Sequence, residues 1–168
     1  MPDTISEKPQ ILSMTKTFSI TVGLPAPEAF RIFVYDLAQW WPTAYTWSQD
    51  DLHDLRMEPF VGGFCTEIGP HGFRIDWGRV LALDPGKQLI FSWQISAQSV
   101  PIPHPERASR VIVTFSPLST QTKTTVVHQD WENHGEGAQE YADMMASEYG
   151  WPFMLQAYAQ RCRSFEKV

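Results

Sequence analysis

Long apolar runs are missing from this chain, and no stretch approaches the roughly 18 residues that a membrane-spanning helix needs. Cysteine is scarce. Cys65 and Cys162 stand far apart and outside any metal-ligand spacing, which excludes a disulfide framework and a zinc cluster. They read as reduced, buried thiols of a cytoplasmic protein, with one bridge between them as the alternative. Positive charge is in deficit: 13 Lys and Arg against 19 Asp and Glu leave a net charge of −6, which argues against nucleic acid or an anionic membrane as the main partner. The glycine-rich nucleotide loops G-x-G-x-x-G and G-x-x-x-x-G-K-[ST] are absent, and so is the G-x-S-x-G nucleophile turn. His53, His71, His104, His128 and His134 are scattered, with no recognised metal-ligand pair among them, so neither metal nor cofactor is expected. The opening MPDTISEKPQ lacks a basic segment followed by an apolar run, so no secretory leader is expected.

What the chain does have is a folded-protein balance, 43% hydrophobic and 19% charged over 168 residues, which predicts one globular domain rather than a disordered chain. A chain of that length buries roughly 70% of its unfolded surface and needs no staples. Residues 1–14 read as a loose polar tail and residues 15–168 as the domain. Aromatic residues are abundant, with seven Trp and ten Phe, and two of the tryptophans lie in one predicted hairpin, FRIDWGRVLALDPGKQLIFSWQIS, so that hairpin needs cover.

Alternation over 16–22 predicts a strand, with Phe18, Ile20 and Val22 on one face. LPAPEAFRIFVYDLAQWW then predicts an amphipathic helix from about Ala26 to about Gln39. Strands follow over 55–59, 64–68, 73–83 and 88–97, the last two joined by DPGK, a hairpin turn signal. SVPIPHPERAS carries three prolines and reads as a connecting loop outside the sheet. Two more strands are expected over 110–115 and 122–131, and a long helix over 138–165, bent or reset near Gly150 by Pro152. The order predicts an α+β domain whose curved antiparallel sheet wraps a long C-terminal helix.

Such a sheet and helix can enclose a cavity. Leu89, Phe91, Trp93 and Ile95 would face it if Ile90, Ser92 and Gln94 face out. On the last strand either Thr124, Val126 and His128 or Val127, Gln129 and Trp131 face inward, and hydrophobicity alone leaves both open. Met144, Met145, Trp151, Met154 and Tyr158 would form the opposite wall, and methionine suits surfaces that accept variable apolar shapes. Each of these residues also has an ordinary reading as core.

MEPFVGGFCTEIG, DWGRVLALDPGKQLIFSWQI, HGEGA and YGWPFMLQAYAQ, in this order and spacing, resemble the activator of heat-shock-protein-90 ATPase homologue family over about residues 17–165. That family belongs to the START-like superfamily, with the birch-pollen allergen, polyketide cyclases and lipid-transfer domains. The resemblance implies a helix-grip fold: seven antiparallel strands gripping a long C-terminal helix, two short helices and an apolar cavity. By position it places Trp41, Phe64, Trp77, Trp93, His128, Trp151 and Leu155 on motif positions. Phe64 stands where many relatives carry Arg, and Glu148–Tyr149 replaces a more Gly-rich run, so the identity of a ligand does not transfer. Co-chaperone activity is implied only for members with an additional chaperone-docking domain, for which this chain is expected to have no room.

The expected ligand-binding set is therefore Trp41, Phe64, Trp77, Phe91, Trp93, His128, Met145, Trp151, Met154, Leu155 and Tyr158, with a small apolar or amphipathic molecule as partner. His128 is the one candidate for acid–base chemistry, because its ordinary pKa lies near working pH. A small enzyme of cyclase or hydrolase type, or a protein-interaction module, is the alternative. Glu58, Glu67 and Arg79 read as cross-strand surface pairs or as a polar patch for a ligand head group. WWPTAYTW reads as a lid over the cavity or as a patch that forms a homodimer.

Overall fold

Strand alternation organises most of the chain. The computed structural model describes residues 14–166, so the expected tail over 1–14 lies outside the described residues except for Met14. Among those residues seven strands form one antiparallel sheet: β1 (Lys16–Val22), β2 (Asp54–Met57), β3 (Phe64–Ile68), β4 (Arg74–Asp84), β5 (Gln88–Trp93), β6 (Ser109–Leu118) and β7 (Gln121–Gln129). Their order across the sheet is β1-β7-β6-β5-β4-β3-β2, so each strand from β2 to β7 lies beside its neighbour in sequence and β1 closes on β7. Ser109, Val111, Val113 and Phe115 of β6 are buried between more exposed neighbours. Thr122, Thr124, Val126 and His128 do the same on β7, which decides the inward face that hydrophobicity left open. Gly86 turns the DPGK hairpin at φ 77°, a conformation that suits glycine.

Two irregularities curl the sheet. The register slips between Cys65 and Thr66 against β4, and between Val80 and Ala82 against β5. Such bulges bend a strand and increase its twist. Into the hollow goes α4 (Trp151–Arg163), which buries Met154, Leu155, Tyr158, Ala159 and Cys162. The Tyr158 hydroxyl donates to the Ala29 carbonyl at 2.8 Å, tying α4 to α1 (Ala26–Tyr35). This is the helix-grip fold. Both cysteines are free and buried, on β3 and α4.

Several boundaries differ from the expectation. The helix expected over 26–39 stops at Tyr35, and a single turn, α2 (Leu37–Trp40), follows. Asp36 breaks it, at φ −102° and ψ 26°, and its carboxylate receives the Arg161 guanidinium of α4 at 3.2 Å, a tertiary contact at the kink. The 28-residue C-terminal helix is instead two helices, α3 (Ala138–Met145) and α4, separated by Ala146–Gly150. A Cβ on Gly150 would collide with the Met145 carbonyl, so this residue marks the break more directly than Pro152 does.

Strand β5 ends at Trp93, not Ala97, and β7 ends before Trp131, because Asp130 takes φ 63° and begins a 3-10 turn. The proline-rich segment folds back along the end of β5. Ile95 bridges Pro101, and the Ile102 amide donates to the Gln94 carbonyl at 2.8 Å. Ser92 and Gln94, expected to face solvent, are consequently buried. Gln94 donates to the Ile102 carbonyl and accepts from the Ser92 hydroxyl.

Candidate ligand cavity

The loop after α2 begins with an aromatic run and needs an anchor, which β3 provides. The Glu67 side chain is 1% exposed, and its two carboxylate oxygens receive the Trp47 amide (3.0 Å), the Ser48 amide (2.8 Å) and the Ser48 hydroxyl (2.8 Å). Three donors satisfy a buried group that would otherwise be costly. The loop is pinned at that point and reaches out on both sides. The Trp47 indole N–H donates to the Ser99 carbonyl at 2.7 Å, in the turn after β5. The Tyr45 hydroxyl donates to the Tyr149 carbonyl at 2.7 Å, between α3 and α4.

Beneath this loop lies a cavity of about 540 Å³. Its inner wall is Trp41, Trp93, Ile95, Tyr141, Met145 and Met154, and its mouth includes Ala44, Tyr45, Trp47, Met144 and Tyr149. The remaining lining is Thr46, Gln49, Ser96, Ala97, Ser99 and Gly150, so no Asp, Glu, Lys, Arg or His borders it. Trp41 and Trp93 lie nearly parallel, 27° apart with centroids 5.9 Å apart. Tyr141 is held in the wall by the Trp93 indole N–H (2.8 Å) and by its own bond to the Ile95 carbonyl (2.8 Å). Burial pushes the Tyr141 hydroxyl up to about 12.

The structure thus brings together Trp41, Trp93, Met145 and Met154 of the expected set. Trp77, Phe91, His128, Trp151, Leu155 and Tyr158 lie in the sealed core instead. Trp77 packs behind Trp41 and Trp93, and its indole N–H has no partner among the described residues. Phe64 borders a separate cleft with Arg79, whose guanidinium sits 4.0 Å over the Phe64 ring. Glu58 accepts the Phe64 amide, and among the described residues Glu58, Glu67 and Arg79 form no ion pair. Tyr45 and Trp47 came from the WWPTAYTW run, but nothing in the pattern distinguished the residues that reach the cavity. Tyr141 and Tyr149 were legible only as a helix face, and the helix breaks between them. Ser96 and Ala97 fall where the sequence predicts strand, and Ser99 where it predicts loop.

His128 sits at 0% exposure, stacked on Trp131 with centroids 3.7 Å apart. The Trp151 indole N–H donates to its Nδ1 at 2.9 Å. An indole only donates, so the neutral ring carries its proton on Nε2, which lies 2.7 Å from the Ser109 Oγ. That hydroxyl is then left to donate to the His134 Nε2, also at 2.7 Å. Burial, and next the neighbouring His134, hold the His128 pKa well below its ordinary value, and burial lowers that of His134. A uncharged ring with both nitrogens occupied fits a packing and hydrogen-bonding role inside the core.

A sequence model described as "Activator of Hsp90 ATPase homolog 1-like protein" matches residues 25–160. The chain belongs to this family. The match takes in α1, the whole sheet apart from β1, and most of α4, the parts that build the activator-homologue scaffold around the cavity. Among solved structures, the anthrahydroquino-γ-pyrone synthase Txn09 is 29% identical, with a TM-score of 0.62, over 87% of this chain and 95% of that one. A protein of Nitrosomonas europaea is 17% identical with a TM-score of 0.64, over 90% and 96% of the two chains. The self-sacrificing resistance protein CalC of Micromonospora echinospora is 21% identical with a TM-score of 0.59, over 89% and 94%. The last two likenesses are of fold alone. No curated protein matches the chain by sequence. Among the described residues, no helix is long and apolar enough to cross a membrane.

Proposed function

We propose that this activator-homologue domain binds a small apolar or amphipathic molecule, without covalent chemistry, in the cavity beneath the 41–49 loop. The observation that carries the reading is the lining: six aromatic and three methionine side chains around about 540 Å³, with a few hydroxyl and amide groups near the mouth. Ligand cavities are concave, mostly apolar and supplied with a few placed polar groups. The cavity opens between the helices and the end of the sheet, not along the length of α4.

The test is native mass spectrometry of freshly purified protein, with a denatured control, followed by a thermal-shift screen of apolar compounds. The expected result is an adduct lost on unfolding, or stabilisation by a screened compound, in either case abolished by filling the cavity with Met145→Trp. The absence of both an adduct and any stabilisation would overturn the reading. An enzyme of cyclase type is the second reading, favoured by the 29% identity to a synthase. It would have to work through shape and the lining tyrosines, and a substrate released with altered mass would favour it.

A further inference from the structure

The cavity's charge pattern narrows what it takes, given the binding reading above. We propose that it selects flat aromatic ligands that carry no negative charge. Trp41 and Trp93, stacked on each other at 27° and 5.9 Å between centroids, line it together with Tyr45, Trp47, Tyr141 and Tyr149, and the edges and faces that these six rings leave to the cavity favour a ligand's ring over a flexible chain. Methionine sulfurs of Met145 and Met154 complete the wall, and thioethers make favourable contacts with ring edges.

The same wall is hostile to anions. No Lys, Arg or His borders the cavity, so a carboxylate, sulfonate or phosphate entering it would lose water and find no counter-charge. Aromatic faces are negative, which adds repulsion. The Glu67 carboxylate, hydrogen-bonded to the amide of the lining residue Trp47 and to Ser48, is 1% exposed and without an ion-pair partner among the described residues. Its field in a poorly solvated interior disfavours a second negative charge nearby. The chain's net charge of −6 acts in the same direction.

Two fluorescent probes of the same skeleton separate the terms. N-phenyl-naphthylamine is neutral, and anilinonaphthalene sulfonate differs by its sulfonate. The neutral probe should bind at least about tenfold more tightly to the full-length protein, and anthracenemethanol should displace it at least about tenfold better than dodecanol. Equal or tighter binding of the sulfonate overturns the selection by charge. Equal displacement by dodecanol overturns the selection for flat rings. Met145→Trp should abolish probe binding, with Ala44→Trp on the exposed mouth loop as the second filling variant if the first does not fold. Binding unchanged in a folded filling variant would place the probe elsewhere and overturn the cavity reading itself, a failure distinct from the other two.

Discussion

The indole N–H of Trp151 and the Nδ1 of His128 meet at 2.9 Å, and this one bond fixes the tautomer of a histidine with no exposed surface. The proton it leaves on Nε2 begins a run of hydrogen bonds through Ser109 to His134. The run needs both rings neutral. Both pKa values are lowered in the fold, so the unfolded chain binds more protons than the native one once the pH falls below the ordinary histidine value near 6.5. The pair's contribution is therefore intact above that pH and is lost as acid approaches the native values. Between pH 7.5 and 5.5 the loss should be about 1–2 kcal/mol. Urea midpoints at the two pH values check it, and equal stability at both would contradict it.

Trp151→Phe keeps most of the ring volume and removes the N–H, leaving the buried His128 Nδ1 without its donor. The expected cost is about 1–3 kcal/mol, since an unsatisfied buried acceptor loses its full solvation. Chemical denaturation gives the number. A cost near zero would mean that water or another group replaces the indole.

Gly150 occupies the corner between α3 and α4, where a methyl group would strike the Met145 backbone carbonyl. Gly150→Ala should destabilise the fold by about 2–3 kcal/mol, the scale of an overpacked site. Since Gly150 also borders the cavity, its displacement should weaken probe binding in whatever protein remains folded. A thermal melt together with a titration reads both effects.

Cys65 and Cys162 are buried free thiols whose pKa values are raised, chiefly by desolvation, that of Cys162 to about 11. The thiolate is the reactive form. Neither should react with a thiol reagent at pH 8 in the native protein, and both should react at once in denaturant. A fast native phase would show that β3 or α4 opens locally.

Two hydrogen bonds latch the loop over the mouth, Tyr45 to Tyr149 and Trp47 to Ser99, while Glu67 pins its centre. Tyr45→Phe removes the first latch and keeps the ring packed near Phe153, with centroids 5.5 Å apart in the native pair. Probe association and dissociation should both speed up by about threefold to tenfold at little change in affinity, as expected when a gate rather than a contact is lost. Stopped-flow mixing measures the rates, and unchanged rates would show that the loop does not gate entry.

Much of the architecture was legible from period and punctuation. Alternation in 16–22, 110–115 and 122–131 specified strands because one face had to be buried, although the last of them ends at Gln129, and DPGK specified the hairpin. The order of elements then left little choice of topology, since successive antiparallel strands joined by short turns lie side by side. Apolar periodicity placed the helices but not their ends. The residue at the first interruption, Asp36, is held by Arg161, 125 residues away, and the one before Trp151 falls where a side chain at Gly150 would meet the Met145 carbonyl.

The cavity was only half legible, for a related reason. Composition and order determined that aromatic and methionine side chains would crowd between sheet and helices, because a chain this rich in rings must bury them together. Which of those rings face a space and which face one another was decided only by the curl of the sheet, the break between α3 and α4, and a loop held down by Glu67. Trp77 and Trp93 sit in the same predicted hairpin, and nothing in their local sequence separates them. Tertiary packing put Trp77 behind Trp41 and left Trp93 on the cavity floor, since a cavity is a property of what surrounds it and not of any one segment of chain.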